Sequence, residues 1–176
     1  NRSDVERQRR VLGEKGDDMA AKEEIGILVP EFHQYGYVTR DLKAKKEWYT
    51  KHMGLGPWRE LEWNSDNSRI EQVKGRYRFK IAIAMMGPME FELIEPVEGD
   101  LIYNEYLERN EYGGIHHMGV RIKDLDAMMK KFNDLGIYSI GTGTHLARGV
   151  RIAYMDVRPQ ADMIIELMER GPIKFD

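Results

Sequence analysis

Four side chains able to bind a metal ion recur at matching places in two copies of one sequence pattern. FHQYGYVTRDL, from Phe32 to Leu42, returns as IHHMGVRIKDL from Ile115 to Leu125, and FELIEP from Phe91 returns as IELMER from Ile165. Superposing the copies sets Gln34 opposite His117 and Glu92 opposite Glu166. Two carboxylates, one amide oxygen and one imidazole form a hard ligand set suited to Zn, Ni, Co or Mn, and a six-coordinate ion would keep two positions for substrate oxygens. Such an ion polarises a substrate carbonyl and acidifies the neighbouring C–H, and a carboxylate of the same cluster can take the proton.

For these groups to converge, they must share one face of a sheet. Side chains alternate along a strand, so Glu92 points away from Phe91 and Leu93, and Glu166 away from Ile165 and Leu167. The same parity groups Gln34 with Gly36 and Val38, and His117 with Gly119 and Arg121, while Met118, Val120 and Ile122 turn toward a helix. The two glycines leave room for a bound group. Arg121, on the ligand face, is a candidate substrate-binding residue suited to bidentate capture of a carboxylate or phosphate. His33 and His116 each precede a proposed ligand and point to the helix side, where they support it. One inserted residue near His33 would reverse the facing and make His33 the ligand in place of Gln34.

The surrounding segments read as two βαβββ modules. In the first, a strand near His33 leads to a helix capped by Asp41 and stopped by Gly54 or Gly56, then strands at Arg59 to Trp63, about Arg76 to Met86, and the one carrying Glu92. The second repeats the order with a strand at His117, a helix capped by Asp124 and closed by Gly136, and strands near Ile137, Val150 to Asp156 and Met163 to Met168. Met128, Met129, Phe132 and Leu135 share a helix face and are assigned to the core. The expected boundaries are a charged N-terminal arm or helix at 1–30, a first module at 31–96, a linker helix at 97–113, a second module at 114–170 and a tail at 171–176. Each copy is too short to cover its own sheet, so the fold class expected is α+β, with the two modules in tandem forming one curved mixed sheet around the metal site.

Composition narrows the partners. Hydrophobic residues make up 41% of the 176 positions, and the net charge of −3 comes from interspersed signs, so no nucleic-acid partner is expected. Cysteine is absent, which excludes thiolate catalysis and Cys-based zinc sites. No apolar run approaches the roughly 20 residues that span a bilayer, so no membrane partner is expected and a cytoplasmic location is the default. Lys74, Arg76, Arg78 and Lys80 alternate on one strand face, read as a charge-protected edge that could otherwise meet phosphates. The stretch Gly141 to His145 with Arg148-Gly149 reads as a mobile loop able to close over the site, and His52 and His145 as exposed.

The paired strand-Asp-helix openings, the seven-residue step from Gln34 to Asp41 and from His117 to Asp124, and the FELIEP and IIELMER strands resemble the vicinal oxygen chelate superfamily. That group contains glyoxalase I, methylmalonyl-CoA epimerase, extradiol dioxygenases and antibiotic-resistance proteins. The resemblance covers about residues 32–170 and carries the family's metal positions onto Gln34, Glu92, His117 and Glu166. It implies Glu166 as catalytic base, with Glu92 its counterpart. It also implies a small-molecule substrate, either an acyl-CoA or a thiol adduct, and a possible homodimer clasped by the N-terminal arm. A Gln, Glu, His, Glu set occurs in some glyoxalase I enzymes, whereas the segment from ELIEP to GIHH resembles the epimerases. Dioxygenase chemistry is disfavoured because His117 is the one unforced histidine ligand.

Overall fold

The computed structural model describes residues 31–170; the N-terminal arm and the C-terminal tail expected at 1–30 and 171–176 lie outside the described residues. Nine strands form a single mixed sheet: β1 (Phe32–Val38), β2 (Arg59–Asn64), β3 (Ser68–Ile70), β4 (Arg78–Met86), β5 (Met89–Glu98), β6 (Gly114–Ile122), β7 (Ser139–His145), β8 (Val150–Asp156) and β9 (Ile164–Arg170). Among the described residues four helices accompany it: α1 (Leu42–Met53), α2 (Ile102–Arg109), α3 (Leu125–Asp134) and the short α4 (Arg158–Ala161). No described helix is long and apolar enough to cross a membrane.

The strand order β2-β4-β5-β1-β6-β9-β8-β7-β3 is nearly symmetric about the central pair. β1 and β6, the equivalent strands of the two copies, run antiparallel, and each has a parallel neighbour, β5 and β9 respectively, that carries a glutamate. The short strand β3 breaks the repeat. It follows β2 after a tight turn yet pairs with β7 at the opposite edge of the sheet, so the chain itself joins the two edges and bends the sheet into a nearly closed barrel. Three residues carry too little periodicity to mark a strand, and β3 was not expected.

Local chemistry explains the helices. Asp41 accepts a hydrogen bond from the Ala44 amide at 2.8 Å and Asp124 one from the Ala127 amide at 2.9 Å, satisfying N–H groups that the first turn leaves free. Gly54 ends α1 in the left-handed conformation, φ 67°, where a Cβ would be strained. The helices α1 and α3 pad the outside of the sheet. α1 covers Ala82, Ala84, Phe91 and Leu93, and α3 covers Val120, Ala153, Met155 and Leu167. The inner face forms a third cluster, in which Phe79, Ile81, Ile94 and Ile152 meet Tyr103 and Leu107 of α2.

Several expectations need correction. The Gly141 to His145 stretch is no loop: it is β7, paired with β8 on one side and β3 on the other. Its glycines serve close packing, since a Cβ on Gly143 would stand 2.6 Å from the Ile70 side chain. His145 is therefore buried, edge-on to the Trp63 ring at 5.1 Å, while His52 is exposed at the end of α1. Leu135 is 57% exposed because α3 ends before it, whereas Phe132 is buried. Arg78 and Lys80 lie on the outer face beside Glu62 and Glu95, so that row is neutralised away from the barrel interior. Phe132→Ala should destabilise the fold by about 3–5 kcal/mol in urea denaturation, and Leu135→Ala by less than about 0.5 kcal/mol.

Candidate metal centre

At the crossing of β1 and β6 each predicted ligand faces a glycine of the other strand: Gln34 is paired with Gly119, and Gly36 with His117. The glycines make room for the ligands themselves. A Cβ on Gly36 would fall 2.1 Å from the His117 ring, and one on Gly119 would fall 3.0 Å from Gln34 Cβ. Neither position needs an unusual φ, so the requirement is steric alone. Gln34 Oε1 and Glu166 Oε2 both lie 3.5 Å from that Gly119 point, which brings the amide of one module to the carboxylate of the other.

Glu92, His117 and Glu166 complete the convergence. Their ligand atoms lie within 4.8 Å of one another, all three residues are buried, and His117 Nε2 is 3.6 Å from Glu92 Oε2 and 3.5 Å from Glu166 Oε2. Those separations are long for charge-assisted hydrogen bonds and suit ligand atoms arranged around a common centre. His117 Nε2, Glu166 Oε2 and both amide atoms of Gln34 are buried without a hydrogen-bond partner. Orphaned buried polar atoms are costly, and a divalent ion would satisfy the acceptors among them, His117 Nε2, Glu166 Oε2 and Gln34 Oε1.

The electrostatics suit a cation. Burial alone would lower the His117 pKa, but Glu166 and Glu92 lift it to about 9. Burial and the like charge of Glu166 raise the Glu92 pKa, with His117 opposing them. Burial would raise that of Glu166 too, yet His117 and Tyr154 bring it below the ordinary carboxylate value. Without an ion, His117 thus carries a proton that balances the carboxylates, and metal binding requires its neutral form. His117 Nδ1 meets His116 Nδ1 at 3.1 Å, and burial, His117 and Arg158 push the His116 pKa down to about 2. Neutral His116 can therefore accept a hydrogen bond from His117 Nδ1, which leaves Nε2 free as a ligand.

Both flanking histidines sit at bulges, because the β1–β6 register slips between Phe32 and Gln34 and again between Gly36 and Tyr37. His116 packs edge-on to Tyr103, Tyr106 and Tyr154, so its bulge turns it toward the inner cluster around α2 and not toward the outer helices that strict alternation would give. His33 differs from its expected helix-side placement. Its pKa is lowered by burial and then by Arg121, against the opposing pull of Glu90 and Glu166, so the bulge sets this ring among groups of the inner face. Arg121 is on that face as well, but Glu90 engages it at 2.8 Å.

The sequence did not single out Tyr154 or Tyr103. Tyr154 is the β8 partner of Glu166, and its hydroxyl is 2.8 Å from that of Tyr103. Burial and the Glu166 charge hold both phenols well above their usual pKa, so they remain protonated donors. The alternation Ile152, Tyr154, Asp156 could have signalled the inward tyrosine, although not its partner. The cluster opens into a cavity of about 660 Å³ walled by Leu61, Trp63, Ile81, Ile83, Ile152 and Met168.

Residues 33–154 match the Glyoxalase/Bleomycin resistance protein/Dioxygenase superfamily, and the chain belongs to it. Among solved structures it is similar to methylmalonyl-CoA epimerase from Mycobacterium tuberculosis, with 22% identity and a TM-score of 0.63 over 82% of this chain and 91% of that one. A Streptomyces coelicolor methylmalonyl-CoA epimerase variant in complex with 2-nitronate-propionyl-CoA gives 19% identity and a TM-score of 0.61, over 84% and 99%. A hypothetical protein from Bacillus halodurans C-125 gives 17% and 0.59, over 83% and 98%. At these identities the likeness establishes the fold. No curated protein matches the sequence.

Gly36→Ala should force the His117 ring aside, cost about 1–3 kcal/mol of stability and lower metal content, whereas Gly119→Ala, with a limiting contact of 3.0 Å, should do less of each. Denaturation curves and elemental analysis of the two variants would check the order.

Proposed function

We propose that this protein is a metal-dependent isomerase or lyase that removes a proton beside a carbonyl, most like an acyl-CoA epimerase. The supporting observation is the placement of Glu92 and Glu166 on equivalent strands of the two modules, with His117 between them. In this reading Gln34, Glu92, His117 and Glu166 hold a divalent ion, with His33 as the alternative to Gln34. The bound ion supplies Lewis acidity to a substrate carbonyl.

The remaining steps belong to the side chains. Glu166 accepts the proton from the substrate carbon, and Tyr154, with Tyr103 behind it, orients the carboxylate and tempers its basicity. Glu92, reaching the same point from the other module, returns a proton to the opposite side of the carbon, which inverts it. Between turnovers Glu166 releases the abstracted proton to solvent and Glu92 takes up a new one, so solvent hydrogen enters the substrate carbon. A glyoxalase I-type lyase would use the same pair to move a proton between adjacent carbons. A non-catalytic binding protein of this fold would leave the carboxylates idle.

Purified protein should carry about one divalent ion per chain, and Glu92→Ala and Glu166→Ala should each lose it, as read by elemental analysis. In D2O the loaded protein should exchange the α-proton of a 2-methyl-acyl-CoA or a hemithioacetal, with Glu166→Gln slowing exchange at least about 100-fold. Full exchange in Glu166→Gln would refute the base assignment. Bound metal without exchange on either substrate would favour the binding protein.

A further inference from the structure

The cavity that begins at the metal cluster ends at a group of arginines. Arg59 at the start of β2, Arg148 in the turn between β7 and β8, and Arg170 at the end of β9 line its mouth. They come from distant parts of the sequence and meet because the sheet curls almost shut. Every other described arginine has a carboxylate or a backbone carbonyl as partner: Arg40 donates to Leu107, Arg69 to Ser65 and Ser68, and Arg76, Arg78, Arg109, Arg121, Arg151 and Arg158 make ion pairs. Among the described residues, Arg59, Arg148 and Arg170 have neither. Arg59 and Arg148 lie close enough to Arg170 to disfavour its charge: burial lowers the Arg170 pKa, and Arg121, Arg59 and Arg148 lower it further against the opposing pull of Glu90. In a chain with net charge −3, gathering unpaired cations at one opening is unfavourable without a complementary anion.

We infer that this mouth is an anion subsite and that the substrate carries a phosphate or carboxylate at the end opposite its reacting carbonyl. The inference rests on the proposed function for the position of the reacting end. Glu166, Met168 and Arg170 share the inner face of β9, and the first and last are four residue steps apart along the strand, about 13 Å. Between them the walls are Leu61, Trp63, Ile81, Ile83 and Met168. The ligand described by this cavity is elongated, with oxygens at one end, an apolar middle and an anionic head. Arginine forks suit that head because they bind phosphate and carboxylate through paired, charge-assisted hydrogen bonds.

Calorimetric titration of the metal-loaded protein with hexyl phosphate and with hexan-1-ol tests this directly. Hexyl phosphate should bind at least about tenfold more tightly, and Arg148→Ala and Arg170→Ala should each weaken it about fivefold to tenfold without changing the alcohol. The arginine variants decide the matter, since phosphate could also ligate the ion. All three arginines are exposed, so the variants should melt at the wild-type temperature. Equal affinity for the two probes, or unchanged phosphate binding in both variants, would overturn the subsite. Propionyl-CoA against propionyl-pantetheine identifies the source. A preference for the CoA ester that disappears in the variants assigns the anion to coenzyme phosphates, and equal binding of the two assigns it to the substrate's own head group. Glu166→Ala separates the two proposals: the subsite predicts that hexyl phosphate still binds after the metal is lost, whereas failure of the anion preference with metal and proton exchange intact removes the subsite alone.

Discussion

The arrangement depends on how closely β1 can approach β6 while buried side chains lie between them. Gly36 has no Cβ, and the His117 ring occupies the space that one would fill. The antiparallel register then repeats the relation on the other side of the pseudo-two-fold axis, where Gln34 lies against Gly119. Parallel neighbours β5 and β9 bring one glutamate each to the same point. A symmetric fold thus yields an asymmetric set of candidate ligands, because the two copies differ in residue type at the Gln34 and His117 positions.

Three separate apolar clusters divide the work of holding this geometry. The α1 and α3 pads stiffen the outer faces of the two modules, and the inner cluster fills one end of the barrel around α2. The inner cluster stops at Tyr103 and Tyr154, which place hydroxyls rather than hydrocarbon beside Glu166. That boundary allows a buried carboxylate to stay ionised: His117 and Tyr154 offset a desolvation cost that would otherwise keep it protonated. Beyond it the cavity changes character again, from apolar walls to exposed arginines at the rim. Burial, neutralisation and access are therefore ordered along one axis, from the closed end to the mouth.

Periodicity, capping residues and the internal repeat determined much of this. The Asp41 and Asp124 caps, the outward packing of Phe91, Leu93, Ile165 and Leu167, and the opposite, inward facing of Glu92, His117 and Glu166 follow from patterns two to seven residues long. Such patterns are legible because strand parity and helix capping are local rules. Gln34 joins the same cluster by the same parity, and its pairing with Gly119 follows from the repeat.

What needed the tertiary structure was everything set by long-range closure. β3 crosses to the far edge, so β7 became a doubly paired strand and His145 became buried, although the local Gly and Thr content reads as a loop. The bulges at His33 and His116 reset the direction of single side chains, and no spacing in the sequence marks an inserted residue. Arg59, Arg148 and Arg170 share a cavity only because the sheet curls until its edges meet. The sequence by itself determined most of the strands, the parity of their faces away from the bulges, and the ligand candidates, since each depends on neighbours a few residues away. The barrel's closure, the tyrosine pair beside Glu166 and the charged mouth were decided by tertiary structure, because they join residues whose separation in the chain carries no local signal.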